Sequence, residues 1–172
     1  HRVVHSVEGF ELDRFIERVK EKFDVEVYPI SCEGCVRAKF DEAMAKMEAL
    51  GEQGKHAFVF VPREMKNYYL FTLKDESIMD EAISEPVSAS WKRLDVSILH
   101  KLILEDLMGI DAKALEEKRN LYYIREKEKG FEYIERDPSV QGVFYMNATR
   151  IEQVREIASA GERMPQKSTD FY

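Results

Sequence analysis

Two apolar runs, His56-Ala57-Phe58-Val59-Phe60-Val61 and Tyr68-Tyr69-Leu70-Phe71-Thr72-Leu73, decide the fold predicted for this chain. In both runs apolar side chains fill successive positions, so both faces of each predicted strand are apolar. Strands of this kind lie in the middle of a sheet that is covered on both sides. A short polar segment, residues 62–67, separates the runs and predicts a tight connection between neighbouring strands.

Helices and further strands alternate on either side of this pair. Apolar periodicity predicts helices over residues 12–23, 35–50, 95–107, 111–118, 127–136 and 151–160, and strands over residues 2–5, 25–30, 121–124 and 140–146. Residues 98–107 are apolar almost all round and predict a central helix, and residues 140–146 predict a buried strand. Thr149 with Glu152 predicts a capping box for the last helix. We expect a single α/β domain over residues 1–172, with a mixed, partly parallel sheet covered by helices.

Composition and charge narrow the class of protein. The chain has 172 residues, of which 44% are hydrophobic and 34% charged, which is typical of a globular domain. A net charge of −7 disfavours nucleic acid and anionic membranes as partners. No apolar run is long enough to span a bilayer, and no signal peptide is recognisable, so the expected location is the cytoplasm. The chain begins with His1 rather than Met, which we interpret as a sign that it is a fragment.

Cys32-Glu33-Gly34-Cys35 stands where a predicted strand gives way to a predicted helix. A helix N-terminus can lower the pKa of a thiol, as a dithiol redox site requires. The order of the later elements differs from a thioredoxin, however, and two incidental cysteines are the favoured interpretation. Two thiolates make only half of a structural zinc site, and His56 and His100 are far off in sequence. No metal or cofactor is therefore evident.

Asp95, Ser97 and His100 supply the residue types of a hydrolytic triad. Ser97 and His100 share one helix face, but Asp95 does not reach it, and no strained turn presents the serine. A helix-capping Asp95 and a partly buried, hydrogen-bonded His100 account for the same residues, and this interpretation is favoured.

The closing stretch carries the leading candidate site. From Gly161 to Ser168 it misses the phosphate-loop pattern at the second glycine, and it follows a helix instead of opening one. Arg163 offers a bidentate fork, Lys167 a point charge, and Ser168 and Thr169 hydroxyl donors. Arg150, at the start of the preceding helix, could join this group. We expect either an anion site at these residues or a solvated loop whose cations pair with surface carboxylates such as Glu162.

The same residues carry a resemblance to a known family. Leu94-Asp95-Val96-Ser97-Ile98-Leu99-His100, Asn147-Ala148-Thr149-Arg150-Ile151-Glu152-Gln153-Val154 and Arg163-Met164-Pro165-Gln166-Lys167-Ser168-Thr169 resemble the C-terminal half of a prokaryotic family of unknown function, number 1015. His1-Arg2-Val3-Val4 resembles the point where that family's chains pass from their N-terminal to their C-terminal part. The resemblance implies an upstream part, absent here, that is reminiscent of ParB-like and sulfiredoxin-like nucleotide-binding domains.

The functional hypothesis combines the tail and the resemblance. The chain is expected to be the C-terminal, ligand-binding or catalytic half of a two-part enzyme that acts on a small metabolite bearing phosphate or carboxylate. The resemblance implies that this metabolite is related to serine. A nucleotide would be bound through the missing N-terminal part, which is also the expected protein partner. The alternative is a non-catalytic regulatory or assembly module that packs on that part. No general base or nucleophile is assigned, so catalysis stays open.

Overall fold

The computed structural model of the protein describes residues 1–164, which form one sheet with helices on both faces. The strands are β1 (Arg2–His5), β2 (Phe23–Pro29), β3 (Ala57–Pro62), β4 (Asn67–Leu73), β5 (Leu121–Tyr123) and β6 (Val140–Met146). The helices are α1 (Leu12–Val19), α2 (Cys35–Glu52), α3 (Ile78–Ala82), α4 (Ala89–Lys92), α5 (Asp95–Ile98), a π-helix (Leu99–Glu105), α6 (Ala112–Glu116), α7 (Glu128–Arg136) and α8 (Ile151–Ser159). The predicted α/β class is confirmed.

The strand order is β2-β4-β3-β6-β1-β5, and within residues 1–164 all neighbouring strands are antiparallel. The prediction of a partly parallel sheet is therefore wrong. β3 and β4 form the expected hairpin in the middle of one half of the sheet, with Phe58 opposite Phe71. β6 inserts between β3 and β1, so the last strand pairs with the first strand of the described residues.

The helical crossovers explain this error. α2 connects β2 to β3, and α7 connects β5 to β6, and in each case the two strands run in the same direction, as the alternation of elements predicts. However, β4 lies between β2 and β3, and β1 lies between β5 and β6. Each strand–helix–strand unit is thus split by an antiparallel strand. Strand direction follows from the local pattern, whereas strand order depends on long-range pairing.

The two-sided strands separate two apolar cores. Phe58 and Phe60 of β3 pack on one face with α1 and the π-helix. Val59 and Val61 face the other way and pack with α2 and α7. All four side chains are fully buried. This arrangement confirms that β3 lies inside a sheet covered on both sides. Because both faces are apolar, polar side chains can cluster only at the ends of the strands.

The predicted central helix is present, but its geometry changes partway. It begins as α5 and continues as the π-helix, in which Leu99, Leu102, Ile103 and Leu104 are buried. The apolar pattern locates the helix but does not reveal its wider π turn. No helix among residues 1–164 is both long and apolar enough to cross a membrane.

Two local predictions need correction. α1 ends at Val19, and Phe23 begins β2 instead of closing the helix. α8 is capped one residue later than expected: Arg150 is the N-cap residue, and its backbone N–H donates to Gln153 Oε1 at 2.9 Å. The side chain of Gln153 therefore takes the part that the sequence pattern assigned to Glu152.

Candidate functional site

A cleft of about 690 Å³ opens beside the C-terminal half of α2. Its walls come from α2, from the residues that lead into β3, from the start of α5, and from the segments that follow β5 and β6. Four cationic side chains line it, those of Lys55, Arg125, Lys127 and Arg150. Three carboxylates also line it, those of Glu48, Glu52 and Asp95. The cleft is therefore slightly cationic in a chain whose net charge is −7.

The wall that carries Arg150 is fixed against α2. Asn147, directly after β6, donates from Nδ2 to the backbone oxygen of Met47 at 3.1 Å. A Cβ atom at Gly51 would lie only 2.5 Å from that nitrogen, so the glycine makes room for the amide of Asn147. Together with the cap at Gln153, this contact fixes the backbone on both sides of Arg150. Arg150 is thereby held at a fixed backbone position in the lining of the cleft.

Three of the lining cations have no counter-ion in the described part of the chain. The charged groups of Lys55, Lys127 and Arg150 form no ion pair with any residue among 1–164. They come from three segments that are far apart in sequence, and they meet only because α2, β5 and β6 end near one another. Such a group can bind an anionic molecule, because a guanidinium forms paired hydrogen bonds and an ammonium acts as a point charge.

His56 and Asp95 form a hydrogen-bonded pair at the edge of the cleft. His56 Nδ1 lies 2.7 Å from Asp95 Oδ1, and His56 Nε2 lies 3.0 Å from Glu76 Oε2. Burial lowers the pKa of His56, but the hydrogen bonds to Asp95 and Glu76 outweigh it, so the pKa is raised above its ordinary value. The raised pKa favours the imidazolium form, in which both nitrogens donate, one to Asp95 and one to Glu76. It braces three segments and adds positive charge, and neither nitrogen is free to act as a base.

The Asp95, Ser97 and His100 side chains do not meet. Ser97 Oγ donates to the backbone oxygen of Trp91 at 2.8 Å. His100 Nε2 accepts from Arg2 Nε at 3.0 Å, and burial followed by the charge of Arg2 lowers the pKa of His100 to about 3. The hydrogen-bonded, partly buried His100 agrees with the favoured prediction. The N-cap residue of α5 is Leu94, and Asp95 is the first residue inside the helix, so the prediction that Asp95 caps it is wrong.

The predicted tail site is only partly within the described residues. Arg163 does not line the cleft; its side chain is exposed, and its backbone oxygen accepts from Trp91 Nε1 at 2.9 Å. Glu162, the expected surface partner of the tail cations, accepts from the backbone N–H of Ser88 at 2.7 Å. Lys167, Ser168 and Thr169 lie outside residues 1–164. Of the predicted site residues, the structure thus brings Arg150 and Asp95 together in the cleft.

Cys32 and Cys35 are joined by a disulfide at the beginning of α2. Cys32 is exposed and Cys35 is half-buried. Met44, the first α2 residue that lines the cleft, lies nine positions after Cys35, which is about 13 Å along the helix axis. The pair and the cleft are therefore separate features. Among residues 1–164, no group of three or more His, Cys, Asp or Glu side chains is arranged to hold a metal ion.

Comparison with protein families gives a match to the N-terminal part of the chain. A family model described as "Protein of unknown function (DUF1015)" matches residues 1–97, more than half of the chain. The matched segment runs from β1 into α5 and includes His56, Glu76 and Asp95. No curated protein and no solved structure matches.

Proposed function

The chain belongs to the DUF1015 family, and we propose that it binds a small metabolite bearing a phosphate or carboxylate group in the cleft beside α2. The observation that carries this proposal is the convergence of Lys55, Lys127 and Arg150, none of which forms an ion pair within residues 1–164. The predicted role of Arg150 as an anion ligand is thereby retained, with partners different from those expected.

The charge balance in the cleft supports an anion. The negative charge of Asp95 is offset by its hydrogen-bonded partner His56. The other two lining carboxylates, Glu48 and Glu52, have no histidine partner of this kind among the described residues. Against these two stand Lys55, Lys127 and Arg150, the three lining cations that form no ion pair within residues 1–164. A bound anion would therefore enter a positive local field even though the whole protein repels anions at long range.

The cleft also offers an apolar surface. Met44, Met47 and Met146 line it, and the first two belong to the core between α2 and the sheet. Methionine side chains adapt to the shape of what they contact. A metabolite with a short organic part attached to its anionic group fits this mixture better than a bare inorganic ion.

Thermal unfolding in the presence of candidate ligands tests the proposal. The panel contains phosphoserine, serine, nucleotides, inorganic phosphate and sulfate. We expect the unfolding temperature to rise with the concentration of at least one anion, because a ligand that binds only the folded state stabilises it by RT ln(1 + [L]/Kd). The rise should be lost in Arg150→Ala and in Lys127→Ala. The matched control is Arg155→Ala, an exposed arginine on α8 that does not line the cleft.

The outcomes separate the cleft from the tail. Equal shifts in wild type, Arg150→Ala and Lys127→Ala would contradict the proposal. Loss of the shift in Arg163→Ala and Lys167→Ala, with Arg150→Ala unaffected, would instead assign the anion to the tail residues Arg163, Lys167, Ser168 and Thr169. No shift with any compound would favour the regulatory or assembly module.

A further inference from the structure

The disulfide at the beginning of α2 forms a second site, independent of the cleft. We propose that Cys32 and Cys35 exchange their disulfide with a small thiol, so that the pair cycles between a disulfide and two thiols in the folded protein. Cys32 is the sulfur that the small thiol attacks, and Cys35 is the leaving group.

Accessibility assigns these roles. Cys32 is exposed, whereas Cys35 is the first residue of α2 and half-buried. An attacking thiolate must approach one sulfur in line with the bond that breaks, so the exposed sulfur is the one it reaches. Both cysteines of the 172 residues belong to this pair, so the attacking thiol comes from outside these residues, and we assign it to a small-molecule thiol.

The disulfide contributes little to holding α2 in place. It closes a ring with only two residues between the cysteines, and the stabilisation that a disulfide gives the folded state grows with the length of the closed loop. α2 is anchored by other contacts. Tyr68 Oη donates to the backbone oxygen of Val36 at 2.8 Å, and Phe40 is fully buried. The helix can therefore remain packed when the disulfide opens.

The surrounding backbone favours the thiolate that exchange requires. The N–H of Cys35 donates to the backbone oxygen of Cys32 at 3.1 Å, so the helical turn begins at Cys32 and the positive end of α2 lies at the pair. Ser31 Oγ lies 3.8 Å from Cys35 Sγ and can donate a hydrogen bond to that sulfur once it is reduced. Both effects stabilise negative charge on sulfur.

The exchange is balanced as two thiol–disulfide steps. The thiolate of one small thiol attacks Cys32 Sγ, a mixed disulfide forms, and the Cys32–Cys35 bond breaks with its electron pair leaving on Cys35 Sγ. The thiolate of a second molecule then attacks the small-thiol sulfur of the mixed disulfide, and Cys32 Sγ leaves as a thiolate. Two small thiols are oxidised to their disulfide, the cysteine pair gains two electrons, and the protons that the small thiols lose pass through water.

Equilibration with glutathione tests this proposal. The oxidised protein is incubated in buffers with different ratios of reduced to oxidised glutathione. The reaction is then quenched with acid, free thiols are alkylated, and the mass of the protein is measured by mass spectrometry. We expect the pair to open and close reversibly while the circular dichroism spectrum stays native. Opening that occurs only together with unfolding would overturn the proposal.

Single-cysteine variants test the two roles. With oxidised glutathione at pH 7, the free Cys32 of Cys35→Ser should form a mixed disulfide about tenfold faster than the free Cys35 of Cys32→Ser. Cys32 should also react faster in the folded variant than in the same variant in urea. Equal rates in the two variants, or no loss of rate in urea, would overturn the assignment. The double variant with Ser at both positions is the control; it should fold, bind cleft ligands like wild type and form no mixed disulfide.

Discussion

His56 Nδ1 lies 2.7 Å from Asp95 Oδ1, which ties the residue before β3 to the first residue of α5. Because His56 Nε2 also contacts Glu76 at 3.0 Å, one ring joins two carboxylates. Only the protonated ring can donate to both. The charge of this one side chain therefore links pH to the integrity of the cleft wall.

The first prediction concerns the stability that His56 contributes. The pKa of His56 is raised in the folded state, so its contribution is fully present below the ordinary value of 6.5 and is lost as pH rises through the folded-state pKa. We expect His56→Ala to lower the free energy of unfolding by about 1–3 kcal/mol at pH 6 and by less at pH 9. Urea denaturation at both pH values measures this. A loss that is the same at both would show that the ring is not charged. Asp95→Asn, which keeps the shape of the partner, should reproduce part of the effect.

His100 predicts that the free energy of unfolding decreases as the pH falls below 6.5, which is opposite to the effect of His56. Burial, assisted by Arg2, lowers the pKa of His100 to about 3, so the unfolded chain binds a proton below pH 6.5 that the folded protein does not. We expect this group to cost about 1.4 kcal/mol of stability for each pH unit between 6.5 and about 3. His100→Gln, which retains a hydrogen-bond acceptor for Arg2, should flatten this part of the stability curve. A variant curve parallel to that of wild type would contradict the neutral form of His100.

Gly130 gives a prediction about packing. It lies in α7 against Tyr145, and a Cβ atom there would collide with the Tyr145 hydroxyl, which donates to the backbone oxygen of Lys127 at 2.7 Å. We expect Gly130→Ala to lower the free energy of unfolding by about 1–3 kcal/mol, as overpacking does. Gly34→Ala is the matched control, because a Cβ at Gly34 meets open space; it should change stability by less than about 0.5 kcal/mol. Equal effects of the two substitutions would contradict the described packing of α7 on β6.

Much of the fold could be predicted because buried strands and helices have characteristic patterns of apolar residues in the sequence. β3, β4 and β6 are recognisable from apolar residues at successive positions, and β6 spans the predicted residues 140–146. The antiparallel order could not be predicted, since the insertion of β4 and β1 into the split units depends on pairing between distant segments. The π-helix likewise has no signature in the spacing of Leu99 and Leu102.

The candidate site was only partly predictable for the same reason. Arg150 is recognisable as a cation at the start of a helix, but Lys55 and Lys127 stand in other segments and join it only through the sheet topology. His56 and Asp95 are 39 positions apart, so no spacing rule links them. One signal was available. Lys55 and His56 directly precede the buried strand β3, and Lys127 follows the short edge strand β5. Polar groups at strand ends often line a cleft.

The most direct test of the central claim is an amide ¹H–¹⁵N chemical-shift titration of the chain with phosphoserine. If the cleft binds the anion, saturable shifts should concentrate at Lys55, Lys127, Asn147 and Arg150, and Arg150→Ala should weaken the affinity about tenfold or more, as loss of a charge-assisted contact predicts. Saturable shifts confined to residues outside the cleft, or an affinity unchanged in Arg150→Ala, would contradict the account.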